Sequence, residues 1–301
     1  MHIRVGYDIV YDCPAPTPMI LLLSIRPERF VDLVTDQIIR VDPPVPTHRF
    51  ADAFGNCAER LTAPAGPIRI SADFIVADSG EPDPVLPDAV EHPIEDLPDA
   101  VLPFLLASRY CDVDAMSQLA WDTFGTAGRG WALVQTICDY VHDRITFGYH
   151  HARATRTASE AHEEGVGVCR DFAHLAITFC RAMHVPARYC TGYLGDIGVP
   201  PRDPMDFSAW FEVWLGGAWR TFDARHNTPR IGRIVMAVGH DAVDAAITTS
   251  FGQTGLARFE VITKEVEEGA APTWRPLEAD QSRQWSSAGP RLAASGASQG
   301  S

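Results

Sequence analysis

The chain has 301 residues, 46% of them hydrophobic, which is enough to bury a sizeable core in one large or two ordinary domains. Its formal net charge is −14, from 39 acidic and 25 basic residues. A surface of this sign repels nucleic acid and anionic membranes, so we exclude both as partners.

The seven cysteines are odd in number and show no paired short spacings, a pattern typical of reduced thiols rather than of a disulfide framework. Met1 leads directly into an alternating strand, and no signal peptide is visible. The apolar run over residues 19–25 is far shorter than the roughly 20 residues that span a bilayer, and it predicts a buried strand. We therefore expect a cytoplasmic protein.

The first third of the chain predicts a β-rich N-terminal domain over residues 1–105. Residues 1–11 read as a strand, and prolines are dense over residues 39–99. That density favours short strands and loops and excludes long helices. The acidic run over residues 78–99 is interpreted as a solvated loop.

A helical spacing of apolar residues begins at about Ser117 and includes Trp131, Val134, Ile137 and Val141 on one face. The change of pattern places a domain boundary near residues 95–115, with a second domain over residues 106–270. The remaining segment, 271–301, ends in small and polar residues that predict a disordered tail.

Cys169 is predicted to lie in the first turn of a helix. Two glycines, Gly165 and Gly167, precede it, and apolar residues recur after it at helical spacing. Unpaired N–H groups and the helix dipole at this end favour a thiolate, lower its pKa and can receive an oxyanion. The alternative is a buried, inert cysteine, which is our interpretation of the other six: Cys13, Cys57, Cys111, Cys138, Cys180 and Cys190.

A β-hairpin is predicted downstream, because aromatic and β-branched residues on both sides flank Gly216 and Gly217. Counting outward from this turn places Trp210 opposite Asp223 and Ser208 opposite Arg225, all on one face. Ser208 and Asp223 are then diagonal neighbours, about 7–8 Å apart at the backbone. A histidine at position 208 would link Asp223 to a thiol, whereas a serine hydroxyl has no useful basicity near neutral pH.

Two further readings of this segment stay open. Asp223 could instead cap local N–H groups at a strand end. The same count places His226 on the opposite face of the hairpin, so that it replaces the missing base only if a bulge shifts the register.

A metal site is the rival use of these residue types, and none is expected, because the histidines and cysteines show no recognised ligand spacing and no CxxC motif. No cofactor is expected either. The candidates weighed are His142, His150, His151, His162, Cys169 and His174.

Several separated blocks between Trp131 and Gly252 resemble the bacterial transglutaminase-like superfamily, whose members carry a Cys-His-Asp triad on a papain-like core. The blocks are Gly167-Val168-Cys169-Arg170-Asp171-Phe172-Ala173-His174-Leu175, Pro186-Ala187-Arg188-Tyr189, Thr191-Gly192-Tyr193-Leu194, Ala209-Trp210-Phe211-Glu212-Val213 and Thr221-Phe222-Asp223-Ala224-Arg225-His226-Asn227.

The resemblance implies an α+β fold, with a helix that bears the cysteine packed on an antiparallel sheet and a β-rich domain before it. Cys169 matches the nucleophile and Asp223 the acid, while Ser208 stands where the family has histidine. A natural loss and a deliberate substitution both account for this single departure.

The function that follows is acyl transfer or amide hydrolysis through a thioester at Cys169, on a peptide, protein or small amide or ester substrate. Because the triad histidine is replaced by Ser208, we expect this chain to be inactive or severely impaired. The alternative is a pseudoenzyme that binds a peptide or acyl substrate without turnover.

Overall fold

A computed structural model describes residues 1–201 and 205–272. Its strands in chain order are β1 (His2–Cys13), β2 (Thr17–Leu21), β3 (Arg40–Asp42), β4 (His48–Ala51), β5 (Cys57–Ala63), β6 (Gly66–Ala77), β7 (Thr146–Phe147), β8 (Val166–Gly167), β9 (Ala187–Tyr193), β10 (Ser208–Leu215), β11 (Ala218–Phe222), β12 (Ile234–Gly239), β13 (Thr248–Ser250) and β14 (Gly255–Val266). Its α-helices are α1 (Val113–Phe124), α2 (Trp131–Arg144), α3 (Ala158–Glu164) and α4 (Cys169–Ala182), and 3₁₀ turns lie at Pro27–Asp32, Ile94–Asp96, Leu102–Leu105 and Tyr149–His151.

The fold is α+β, as the sequence predicts. Two four-stranded sheets, in the orders β14-β1-β6-β3 and β13-β2-β5-β4, hold the N-terminal strands. A third sheet, in the order β11-β10-β9-β12, follows the helices, and β7 and β8 form a short parallel pair. After the third sheet the chain returns to the two N-terminal sheets, where β13 pairs with β2 and β14 pairs with β1.

The N-terminal predictions hold with two corrections. β1 is a strand as expected, but strand β2 covers only the first part of the apolar run 19–25, whose remainder is buried without strand pairing. In the proline-rich stretch the described helices are short 3₁₀ turns, yet β6 extends over 12 residues. A strand of that length is possible there because Pro67 is the single proline in it and lies near its first residue.

Helix α4 is buried on all sides rather than on one apolar face. Every residue from Asp171 to Ala182 is buried, since α1, α2 and α3 pack against the helix together with β9 and β10. Its polar residues find partners inside: Thr178 donates to the carbonyl of His174 at 2.8 Å, and Arg181 donates to the carbonyls of Ala187 and His240. The first residue of α4, Cys169, therefore rests on a rigid element.

The predicted hairpin is confirmed. Leu215 pairs with Ala218, and the pairing continues to Phe211 and Phe222. The turn residues Gly216 and Gly217 have φ of 59° and 76°, the left-handed conformation that a two-residue hairpin turn of this kind requires and that glycine adopts without steric cost.

Each of the six cysteines interpreted as structural is buried, and Cys169 is half-buried; all seven thiols are free. In the part of the chain that the structure describes, no helix is long and apolar enough to span a bilayer.

Asn56 joins the N-terminal sheets to the third sheet. Its side chain is fully buried and exchanges two hydrogen bonds with the backbone of Val238 in β12, at 2.8 and 2.9 Å. The same amide accepts from Arg26 at 2.6 Å and donates to Asp52 at 2.8 Å. A buried amide of this kind stabilises the position of β12 because the backbone groups of Val238 would lose these two hydrogen bonds without it.

We expect Asn56→Ala to lower the free energy of unfolding by roughly 2–4 kcal/mol, because it leaves the backbone groups of Val238 and the Arg26 guanidinium short of partners. Urea denaturation measures the change. Thr136→Ala, which removes one exposed side-chain hydrogen bond, is the control and should change the free energy of unfolding by less than about 0.5 kcal/mol. Equal effects of the two substitutions would contradict the role assigned to Asn56.

Candidate active site

The start of α4 is fixed by the buried carboxylate of Asp171. Its Oδ2 accepts hydrogen bonds from the backbone N–H of Val168 at 2.8 Å and from Arg156 Nη1 at 3.0 Å. A Cβ on Gly167 would lie 2.7 Å from the Cβ of Asp171, so only glycine fits there. This clamp was not found from the sequence, although a carboxylate at the third helical position is a known capping signal.

The surroundings of Cys169 shift the pKa of its thiol in opposite directions. Burial raises the pKa of the thiol, and the negative charge of Asp206 adds to the increase. The positive charge of Arg225 and the backbone N–H groups of Ala209 and Arg170 act in the opposite direction. The expected lowering of the pKa by the helix terminus is therefore wrong in its net direction, because removal of water from the thiolate outweighs the groups that stabilise it.

Ser208 opens β10, one residue before the Ala209 N–H that faces the Cys169 sulfur. Its side chain is buried, and Oγ has no hydrogen-bond partner among the described residues. Ser208 lines a cavity of about 540 Å³, called here the site cavity. Other residues that line the site cavity include Tyr149, Asp206, Arg225, His226 and Arg230.

Cys169 is not itself among the residues that line the site cavity, but it interacts with three residues that are. Tyr149, Asp206 and Arg225 line the site cavity, and the charge interactions of Cys169 include Asp206 and Arg225, while those of Tyr149 include Cys169. The guanidinium of Arg225 also lies 3.8 Å from the centre of the Phe147 ring, a cation–π contact that fixes its position. Asp206, Arg225 and Tyr149 are site residues that the sequence reasoning missed.

Asp223 follows β11 directly, and its buried carboxylate has four hydrogen-bond donors. Oδ1 accepts from the backbone N–H groups of Arg225 and His226 at 3.0 and 3.1 Å. Oδ2 accepts from Nδ1 of His226 and from Nη2 of Arg233, both at 2.8 Å. Burial alone would raise the pKa of Asp223, but Arg233 and His226 hold it well below its ordinary value. The capping role left open by the sequence is thus present, and the same carboxylate also holds the imidazole of His226.

The expectation that His226 lies on the opposite face from Asp223 is wrong. Strand pairing ends at Phe211 and Phe222, so the register count does not extend to residue 226. The chain instead turns, with the N–H of Asn227 bonded to the carbonyl of Asp223 at 2.8 Å. This turn brings the imidazole of His226 to the carboxylate without a bulge.

The interpretation of residues 78–99 as a solvated loop is also wrong in part. Asp83 accepts hydrogen bonds from Nε of Arg233 at 2.7 Å and from the backbone N–H of Arg230 at 2.9 Å. Arg233 thus links Asp83 to Asp223, and its guanidinium lies 5.0 Å from the centre of the Trp210 ring. Strand pairing ends at Phe211 and Phe222, so the predicted position of Trp210 opposite Asp223 stays a prediction.

Among residues 1–201 and 205–272, no group of three or more His, Cys, Asp or Glu side chains is arranged to hold a metal ion. His174 is fully buried with a pKa lowered to about 3 by burial, and its Nε2 accepts the N–H of Ala242. His150 and His151 lie in the 3₁₀ turn after Phe147.

A cysteine at the first turn of a buried helix, packed on an antiparallel sheet that supplies a buried aspartate, defines a papain-like core. Residues 117–224 match the sequence profile of the transglutaminase-like superfamily. A crystal structure of a candidate cysteine protease from Cytophaga hutchinsonii is 30% identical, covers 92% of this chain and 94% of that chain, and superposes with a TM-score of 0.76. The chain belongs to the transglutaminase-like superfamily.

Two curated relatives are uncharacterized mycobacterial proteins. The protein from Mycobacterium leprae is 35% identical over 110 residues, which cover 33% of this chain and 38% of the relative. The protein from Mycobacterium tuberculosis is 27% identical over 192 residues, which cover 58% of this chain and 61% of the relative. The chain thus spans between 38% and 61% of the length of these relatives.

Two substitutions should move the pKa of Cys169 in opposite directions. Arg225→Gln removes a positive charge beside the sulfur and should raise the thiol pKa, whereas Asp206→Asn removes a negative charge and should lower it. At neutral pH iodoacetamide should then alkylate Cys169 more slowly in the first variant and faster in the second. Peptide mass spectrometry across a pH series measures both rates.

Arg129→Gln is the control, because this arginine side chain is 81% exposed and should leave the pH profile of alkylation unchanged. Identical profiles for all four proteins would show that Arg225 and Asp206 do not act on the sulfur.

Proposed function

We propose that the chain performs acyl transfer through a thioester at Cys169, with an amide or ester carbonyl as the electrophile and water or an amine as the acceptor. The supporting observation is the placement of a half-buried thiol at the first turn of α4, where it interacts with residues that line the site cavity and with the N–H groups of Ala209 and Arg170. Donors of this kind can also stabilise the oxyanion that forms when sulfur attacks a carbonyl.

We propose further that Ser208 makes this reaction slow. Ser208 stands at the position where the superfamily resemblance places the triad histidine, and its hydroxyl is not a base near neutral pH. A thiol whose pKa is raised by burial depends on a base more than an exposed thiol does, because a smaller fraction of it is ionised. General-base assistance typically contributes 10²–10⁴-fold to a rate.

Binding without turnover is the second candidate function. The buried and unpartnered Oγ of Ser208 on the cavity wall supports it, since this hydroxyl is available to a bound peptide or acyl group. For either candidate the substrate class proposed is a peptide, a protein or a small amide or ester, and the seven free thiols support a reducing, cytoplasmic setting.

Ser208→His tests the proposal. We expect it to raise acyl transfer by about 10²-fold, because it supplies a proton acceptor next to Cys169. The gain should disappear in the double variant with Cys169→Ala, which lacks the nucleophile, and shrink in the double variant with Asp223→Asn, which loses the charge that stabilises the imidazolium. The measurement is turnover of peptide and ester substrates with and without amine acceptors.

Circular dichroism and the alkylation of Cys169 confirm that each variant is folded and reduced. If folded Ser208→His protein shows no gain on any substrate, position 208 is not the vacant base position. If the parent chain binds a peptide from the panel but neither it nor Ser208→His turns it over, binding without turnover is the function.

A further inference from the structure

We infer that His226, held by Asp223, is the proton acceptor and donor for the slow reaction that Cys169 retains without a histidine at position 208. The inference rests on the function proposed above. It accounts for a feature that the superfamily resemblance does not explain, namely an imidazole on the carboxylate that matches the acid of the triad.

The geometry of His226 is that of an oriented base. Nδ1 lies 2.8 Å from Oδ2 of Asp223, so this nitrogen carries the proton and Nε2 carries the free lone pair. The contact of the ring with Asp223 is made by Nδ1, and the side chain is 18% exposed. The imidazole lines the site cavity together with Ser208.

The turn that carries His226 also carries Arg225, whose positive charge acts on the sulfur of Cys169. Asp223 fixes this turn through the N–H groups of Arg225 and His226, and the charge of Arg225 acts on Cys169. Acid, cation and imidazole thus lie on four consecutive residues. Ser208, whose side chain is small, lines the same cavity as Arg225 and His226.

In the part of the chain that the structure describes, no other histidine combines these features. His142 also lines the site cavity, but its Nδ1 faces the carbonyls of Ala224 and Arg225, which carry no charge to stabilise an imidazolium. His240 forms a similar pair with Asp244 at 2.8 Å but does not line the site cavity. His240 is therefore a matched control for the loss of a His–Asp pair.

The proton follows a closed path. The thiol proton moves from Sγ of Cys169 to Nε2 of His226 as Sγ bonds to the carbonyl carbon of the substrate. Nε2 returns the proton to the leaving nitrogen or oxygen as its bond to carbon breaks, which leaves a thioester. Water or an amine then gives a proton to Nε2 and attacks the thioester carbon. The carbon–sulfur bond breaks, and sulfur takes the proton back from the imidazolium.

The experiment uses two probes, the turnover of p-nitrophenyl acetate and the rate at which iodoacetamide alkylates Cys169 at neutral pH. His226→Asn keeps a donor to Asp223 but removes the base, and we expect it to lower both rates by roughly 10-fold or more. His240→Asn should leave both unchanged. In the Ser208→His background the same His226→Asn substitution should cause no loss, because the imidazole at position 208 replaces it.

Chemical rescue distinguishes a proton-transfer role of His226 from a purely structural one. In His226→Ala, added imidazole should restore the turnover of p-nitrophenyl acetate, which a purely structural role of His226 would not allow. The inference is overturned if His226→Asn matches the parent chain in both rates. If Cys169→Ala turns over the ester as fast as the parent, the proposed thioester function fails instead. If the parent shows no turnover, the alkylation rates alone test the inference, which is overturned if His226→Asn is alkylated as fast as the parent.

Discussion

The buried carboxylate of Asp223 is the constraint on which the site depends. Burying an ionised carboxylate costs several kcal/mol unless charged partners and hydrogen bonds compensate for the lost water. Here Arg233 supplies the charge, and His226 and two backbone N–H groups supply the remaining bonds. Because Arg233 also pairs with Asp83, the position of the carboxylate depends on a segment that is remote in the chain.

The same pairing makes the stability of the fold depend on pH in the acid range. The pKa of Asp223 is held below its ordinary value in the folded chain, so its ionised form stabilises the fold. This contribution is present above the unfolded pKa of about 3.9 and is lost as the pH falls through the lower folded value. At neutral pH the carboxylate is ionised, which is the state that orients the Nδ1–H of His226.

The sequence predicts elements whose signals are local. The glycine pair 216–217 sets the hairpin, and the apolar spacing after Cys169 sets α4, because both depend on neighbouring residues. The start of α1 is less well predicted: the helix begins at Val113 rather than near Ser117, since the apolar spacing does not mark its first turn.

The candidate site is only partly predictable for a related reason. The register count that pairs Leu215 with Ala218 is correct as far as Phe222, but it assumes that the strand continues. The strand ends there because the Asp223 side chain bonds the N–H groups of the next turn, a local option that competes with the sheet. The contact from Arg233 joins residues ten apart in sequence, and Asp83 is farther still, so no local pattern reveals either.

An imidazole on the Asp223 turn is positioned differently from one in a triad that is built on paired strands. Position 208 lies in β10 and Asp223 follows β11, so a hydrogen bond between a histidine at position 208 and Asp223 would depend on how the two strands are aligned. His226 and Asp223 are three residues apart within one turn, whose backbone bonds already fix their relative position. What remains variable is the distance from this turn to α4, where Cys169 is held by the Asp171 clamp. The position of the turn relative to α4, rather than alignment within the hairpin, therefore controls how well base and nucleophile meet.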